Sequence, residues 1–263
     1  MNQPITPHTG VHQAAATGYA TGAETYAQGR PDYPAALSEW LTDMVGIDQG
    51  TTVVDLGAGT GKFTRLLVAT GASVIAVEPV AEMLARLRAD LPQAEGLQGS
   101  ATALPLPDAS ADAVVCAQAF HWFATAEALT EIARVLKPGG RLALIWNLRD
   151  AQVPWVARMD AIVDRHEGDV PRFYKGNWRA AFPHPPLTEL QAWEFVNLHT
   201  GPADDVIVKR ALSTSFISAL PTGERQRVEA QLRDLIAAEP ALHGQATVSV
   251  PYRTFAFCCT KRG

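Results

Sequence analysis

The sequence predicts an α/β fold, a doubly wound and mostly parallel sheet with helices on both faces. Three observations carry this. Short apolar runs alternate with longer amphipathic ones at 20 to 30 residue spacing through the first half of the chain, the pattern of parallel βαβ units. The run TTVVDL at 51–56 ends in closely spaced glycines, as a buried strand does when it turns tightly into a helix. Hydrophobic residues make up 47% of the 263 and charged residues 19%, enough apolar material for a core and too little charge for a disordered chain.

Each element follows in order. Residues 1–25 are small and polar and read as a flexible segment. Residues 35–45 place Leu37, Trp40, Leu41 and Met44 at helical spacing. Residues 51–56 form a strand, and 62–69 a helix with Phe63, Leu66 and Leu67 inward, closed by Gly71. Residues 73–77 are a strand and 80–91 a helix stopped by Pro92. Residues 111–117 read as a strand, 125–136 as a helix, and Pro138-Gly139-Gly140 as the turn into a strand over 141–146. Beyond Arg149 the texture changes. Residues 155–166 look helical, 171–186 are rich in proline, aromatic and basic residues without periodicity, and 187–199 are strand-like. Helices over 204–216 and 223–238 precede an alternating strand over 245–259. With no linker between the halves, 151–263 reads as an elaboration that completes the sheet begun by a core over 26–150. Ligands in such sheets sit outside the carboxyl ends of the strands, so chemistry is expected just after Leu56, Val77, Cys116 and Trp146.

Composition excludes several classes. The net charge is −5 and no long basic run occurs, so neither nucleic acid nor an anionic membrane is an expected partner. The longest nearly uncharged stretch, 110–126, contains Asp112, Gln118 and His121 and does not suit a membrane span. The first twenty residues have no basic start and no apolar block, which argues against a secretory signal. Cys116, Cys258 and Cys259 are too few and badly placed for a disulfide framework or a zinc cage. A cytoplasmic protein without a metal is expected; its oligomeric state is not set by these features.

The stretch VVDLGAGTGK at 53–62 is the most informative. A phosphate-gripping loop needs Gly, four residues, then Gly-Lys-Ser/Thr; here the first glycine falls on Leu56 and Phe63 replaces the hydroxyl. A dinucleotide fingerprint places its third glycine on Lys62. Gly57, Gly59 and Gly61 give G-x-G-x-G instead, with Asp55 two residues ahead. A carboxylate there repels a pyrophosphate but can take an ammonium group. Glu78, at the end of the second strand, can accept both hydroxyls of a ribose. Ammonium, close backbone approach and diol together fit S-adenosylmethionine better than a dinucleotide.

The motifs VVDLGAGTGKFT (53–64), VIAVEPVAEML (74–84), GSATALPLPDASADAVVCAQAFHWF (99–123) and RVLKPGGRLALIWN (134–147), with YAQGRPDYP at 26–34, resemble class I S-adenosylmethionine-dependent methyltransferases of the type 11-like, small-molecule group that includes trans-aconitate-type enzymes. The resemblance covers residues 26 to 147 almost continuously. It implies a Rossmann-like, seven-stranded sheet. It implies that Asp55, Gly57, Ala58, Gly59 and Gly61 line the methionine moiety, that Glu78 and Pro79 hold the ribose, and that Met83 packs on the adenine. Gln118 also falls on the cofactor. Ser100 stands where the family often has an acidic residue for the adenine amine, and the Ala101 backbone N–H can still reach the ring. Tyr26 and Arg30 are implied to close over the cofactor's tail, with Arg30 on its carboxylate.

The acceptor is expected beside Phe120, His121 and Trp122 after the fourth strand and Trp146 and Arg149 at the end of the fifth, under the C-terminal half. Methyl transfer needs alignment and desolvation and, for a hydroxyl or amine acceptor, a base, for which His121 is the candidate. A carboxylate acceptor needs no base, and Arg149 or Lys175 can position it. Resembling enzymes that methylate base amines carry a Pro pair where this chain has Ala117-Gln118-Ala119-Phe120-His121-Trp122, which again disfavours nucleic acid. The reading is a methyltransferase acting on oxygen of a small molecule. An NAD-dependent oxidoreductase and a catalytically silent binding member of the fold stand as alternatives.

Overall fold

The computed structural model describes residues 30 to 263. Seven strands, β1 (Thr52–Leu56), β2 (Ser73–Glu78), β3 (Glu95–Gln98), β4 (Ala111–Ala117), β5 (Leu136–Arg149), β6 (Gln191–Gly201) and β7 (Val248–Thr260), form one sheet in the order β3-β2-β1-β4-β5-β7-β6. β1 to β5 pair in parallel, while β7 runs antiparallel between β5 and β6. The expected sheet and its mostly parallel sense are observed.

Side chains alternate across the sheet because the strand period is two. Val54, Leu56, Val114, Cys116, Leu144 and Trp146 face one side and pack with Leu129 and Ile132 of α4 (Ala126–Val135). Val53, Val115, Ala143 and Ile145 face the other, against Leu37, Trp40 and Leu41 of α1 (Ala36–Asp43) and Leu67 of α2 (Thr64–Ala69). α3 (Ala81–Asp90) buries Met83, Leu84 and Leu87 beside β2. Each such aliphatic side chain contributes about 1.5–3 kcal/mol on burial. α4 starts at Thr125, whose hydroxyl accepts a hydrogen bond from the Ala128 amide at 3.1 Å, as an N-cap should.

A separate apolar cluster joins α5 (Pro154–Asp164), a π-helical turn (Asp204–Lys209), α6 (Arg210–Leu212), α7 (Ser215–Ser218) and α8 (Thr222–Ala238) to Val250 and Tyr252 of β7. Among the described residues no helix is long and apolar enough to cross a membrane.

Two expectations need correction, and one strand was not expected. The helix over 204–216 is broken: Ser213 turns its hydroxyl onto the Arg210 carbonyl at 2.8 Å and Thr214 is extended, so local side-chain bonds compete with the helix. Pro138-Gly139-Gly140 lies inside β5 as a bulge opposite β4, with Gly139 at φ +79°, rather than ahead of the strand. β3 carries no alternating pattern of its own; it takes its conformation from pairing with β2 at the sheet edge.

Candidate functional site

The carboxyl ends of β1, β2 and β4 converge on a first cavity at the point where the strand order reverses. The glycine loop builds its floor. The Gly57 amide bonds the Val77 carbonyl at 2.8 Å, and a Cβ at Gly57 would stand 2.7 Å from Ala119 Cβ, so only glycine lets the loops after β1 and β4 touch. Gly59, at φ +59°, has no neighbour closer to a built Cβ than Met83 Sδ at 4.0 Å; that side is open cavity.

Two carboxyl groups lie in this cavity, both buried. Asp55, at the end of β1, accepts a hydrogen bond from Thr64 Oγ1 at 2.6 Å. Burial pushes its pKa up to about 7; the Thr64 bond opposes this and the nearby Glu78 charge adds to it. Glu78 accepts from the Gly59 amide and the Val80 amide, each at 2.9 Å. Burial raises its pKa too, against those two amides. Two acids held this way favour a cationic or hydroxyl-rich ligand, because either restores the solvation that burial removed.

Of the sequence-expected cofactor residues, Arg30, Asp55, Gly57, Ala58, Gly59, Glu78, Pro79, Met83, Ser100, Ala101 and Gln118 all line this cavity. Tyr26 lies outside the described residues. Gly61 does not line the cavity. It faces α3, where a Cβ would stand 2.7 Å from Leu91 Cδ1, so its lack of a side chain serves helix packing and not the ligand. Residues that the sequence did not single out also line it, among them Tyr33, Lys62 and Phe123. Lys62 pairs with Asp32 at 3.0 Å and donates to the Arg30 carbonyl. It thereby holds the entering segment over the cavity.

A second cavity of about 780 Å³ opens between the ends of β4 and β5 and the C-terminal helices. Arg30 and Gln118 line both cavities. Gln118 has φ +58°, a left-handed backbone that costs a non-glycine residue about 1–2 kcal/mol, held by its amide on the Ile145 carbonyl and its side chain on the Asn147 carbonyl, both at 2.8 Å.

The acceptor-side expectations divide. His121, Trp146 and Arg149 line the second cavity. Phe120 does not: it is fully buried in the core against Phe123, Trp178 and Phe182. Trp122 lines the first cavity and packs on the C-terminal cluster. Arg149 is neutralised by an ion pair with Asp160 inside the fold. Lys175 pairs with Glu167 at 2.8 Å and bonds the Gly168 and Val170 carbonyls, bracing its own loop.

His121 departs from the expected base. Trp146 Nε1–H donates to its Nδ1 at 3.0 Å, so in the neutral ring the proton sits on Nε2. Burial, with the charges of Arg172 and Arg30 close by, lowers its pKa to about 3. The ring is neutral at physiological pH, and the nitrogen left over, a buried Nε2 without a protein partner, is a donor. Arg172, Phe173 and Arg210 also line this cavity; the aromatic-basic composition of 171–186 hinted at the first two, while Arg210 comes from the broken helix.

A methyltransferase-domain family model matches residues 54–144. The chain is 38% identical to an uncharacterized methyltransferase-like protein of Schizosaccharomyces pombe over 249 residues, covering 92% of this chain and 95% of the relative. A trans-aconitate 2-methyltransferase of Azoarcus sp. is 37% identical over 132 residues, 45% of this chain and 52% of that one. A solved structure from Anaeromyxobacter dehalogenans, provisionally assigned as a type II methyltransferase, is 26% identical, covers 89% of this chain and 97% of its own, and superposes with a TM-score of 0.65.

Proposed function

Because the chain belongs to the class I S-adenosylmethionine-dependent methyltransferases, we propose that its first cavity seats the cofactor and its second an oxygen acceptor of small-molecule size. The observation that carries this is the pair of buried carboxyls in one glycine-floored cavity abutting a second cavity through Arg30 and Gln118. In this reading Asp55 takes the ammonium group, Glu78 the ribose hydroxyls, and Met83 with Ser100 and Ala101 the adenine. Bound S-adenosylmethionine supplies an electrophilic methyl group on a sulfonium.

The chain's own part is alignment and exclusion of water. Lys62 fixes the segment that carries Arg30 across the cofactor cavity. Gln118, held in its strained backbone, sets the boundary between the two ligands. His121, neutral and protonated on Nε2, supports an acceptor that needs no proton removed, and so a carboxylate oxygen over a hydroxyl or amine. The partial relative named for trans-aconitate points the same way.

Glu78→Ala tests the assignment. It should weaken S-adenosylhomocysteine binding by about 1.5–3 kcal/mol in calorimetry, the scale of hydrogen bonds to a charged group. A 2′-deoxyribose analogue should be penalised less by the variant than by the wild type. Equal discrimination by both proteins removes Glu78 from the diol.

A further inference from the structure

β6 is the last strand of the sheet, and its outer edge has few of the features that keep such an edge single. It runs eleven residues, Gln191–Gly201, and pairs with β7 residue for residue without a bulge. It contains no proline and no lysine, and its only Asp, Glu, Lys or Arg is Glu194, which is committed to Arg253 of β7. Pro251, opposite Leu198 in register, gives its carbonyl to the Asp150 amide on the β5 side at 2.9 Å. The N–H and C=O of one strand residue point the same way, and that direction alternates along the strand. Leu198, and with it Ala192, Glu194, Val196 and Thr200, therefore presents its backbone to the free edge. One of these amides, that of Leu198, is met by Asn197 Oδ1 at 2.9 Å.

The same residues carry an apolar surface. Val196 is 81% exposed and Leu198 56%, the two most exposed large apolar side chains among the described residues, and they share one face of the strand. Apolar surface beside outward-turned backbone is a template for a further strand. β6 is complementary to itself in this respect. An antiparallel copy set about a two-fold axis at Asn197 brings Val196 opposite the partner's Leu198 and Leu198 opposite the partner's Val196, with Glu194 opposite the partner's Thr200. The apolar residues then cover each other, each glutamate meets a hydroxyl, and no two like charges stand opposite. An axis at Val196 sets Glu194 against Leu198 instead, and one at Leu198 sets Val196 against Thr200. Axes between residues turn outward backbone against inward backbone and form no ladder.

We propose that two copies of this chain pair antiparallel along β6 in the Asn197-centred register, joining their sheets into one. Val196 with the partner's Leu198, and Glu194 with the partner's Thr200, become pairs that exchange amide and carbonyl bonds. The Leu198 amide leaves the Asn197 side chain for the partner's Val196 carbonyl. The opposite edge of the sheet, β3, has only four residues, so the assembly closes at two copies. The interface borders the second cavity, because Arg253, which lines that cavity, stands opposite Val196 on β7. None of the described residues that line the first cavity lies on β6, so the pairing is independent of the cofactor reading.

Sedimentation velocity on the full chain tests this. A concentration series should show reversible conversion of the 28.2 kDa monomer to a species of twice that mass. Val196→Lys and Leu198→Lys should each raise the dissociation constant about tenfold or more, because each sets an ammonium group against an apolar side chain at the edge. Both positions are exposed, so circular dichroism should show the wild-type thermal transition in either variant. Cysteine linkage reads the register, since the three native cysteines are buried. Val196 and the partner's Leu198 would have Cα atoms about 5.5 Å apart, within disulfide reach, whereas Val196 and the partner's Val196 would be diagonal neighbours about 7–8 Å apart. Under mild oxidation a mixture of the Val196→Cys and Leu198→Cys proteins should link about tenfold faster than either variant alone. A monomer at every concentration leaves this edge to some other strand and overturns the proposal. So does a dimer that both lysine variants leave intact, or linkage as fast in the single variants as in the mixture.

Discussion

At the scale of single residues, the site depends on where charge is made costly. Asp55 is buried at the end of β1 and its pKa stands at about 7, raised from 3.8. A folded-state pKa raised in this way means that folding favours the protonated carboxyl. Its contribution to stability is full below about pH 3.8 and is lost as pH rises through about 7. A ligand ammonium group reverses the preference, since it favours the ionised form. S-adenosylhomocysteine affinity should therefore rise as pH increases through about 7, with a proton released on binding below it. Calorimetry in buffers of different ionisation enthalpy reads that proton, and Asp55→Asn should bind more weakly with a flat pH profile. The glycines separate in the same way. Gly61→Ala forces a Cβ to 2.7 Å from Leu91 at φ +85°, and should lower stability by about 1–3 kcal/mol in thermal unfolding with little change in ligand affinity. Gly59→Ala meets no protein atom closer to its Cβ than Met83 Sδ at 4.0 Å; it should cost about 1–2 kcal/mol of backbone strain and lose disproportionately more binding. If both variants bind alike, the cavity does not require close backbone approach at Gly59.

At the scale of elements, one carbonyl ties the entering segment to two strands, and a third joins through Asn147. Asn147 of β5 and Asn197 of β6 both donate to the Asp32 carbonyl, at 3.1 and 2.7 Å. Thr254 of β7 donates to Asn147 Oδ1 at 3.0 Å. These bonds hold the segment from Arg30 to Tyr33 over the junction of the two cavities. Tyr33 adds an edge-on contact with Phe63 at 4.8 Å. Asn147→Ala removes one of the two donors to the Asp32 carbonyl and the acceptor that Thr254 and Asn197 share. It should destabilise the protein by about 1–3 kcal/mol, the cost of leaving buried partners unpaired, and speed hydrogen exchange over residues 30–34. Unchanged exchange there assigns the hold on this segment to Asn197 and Lys62.

At the scale of the whole molecule, β7 is an inner strand although it lies last in sequence. It is bonded on both sides, from Arg141↔Thr260 to Arg149↔Tyr252 against β5 and from Gln191↔Cys258 to Gly201↔Val248 against β6. Removing residues 248–260 should abolish the cooperative thermal transition in circular dichroism, since β6 loses its strand partner and the C-terminal helices lose Val250 and Tyr252 from their core. The parallel half of this fold was legible in the sequence: β1, β2 and β4 follow short continuous apolar runs bounded by turn residues, and α4 follows apolar positions at helical spacing. β3 was not, because an edge strand takes its shape from its neighbour. The first cavity was also legible, since Asp55, the glycine loop and Glu78 lie at fixed offsets from strand ends, and the strands alone place them. What only the tertiary structure decided is the second cavity and the state of its groups. Phe120 could be assigned to core or site only once Trp178 and Phe182 had folded onto it. Arg172 belongs to a stretch with no pattern to read, and Arg210 to an expected helix whose pattern does not show what its side chain meets. His121 is a donor and not a base because Trp146 occupies its Nδ1, while burial and two guanidinium groups lower its pKa. Periodicity and spacing are local properties that a sequence carries in order, whereas desolvation, tautomer and charge pairing depend on neighbours that only the folded chain brings together.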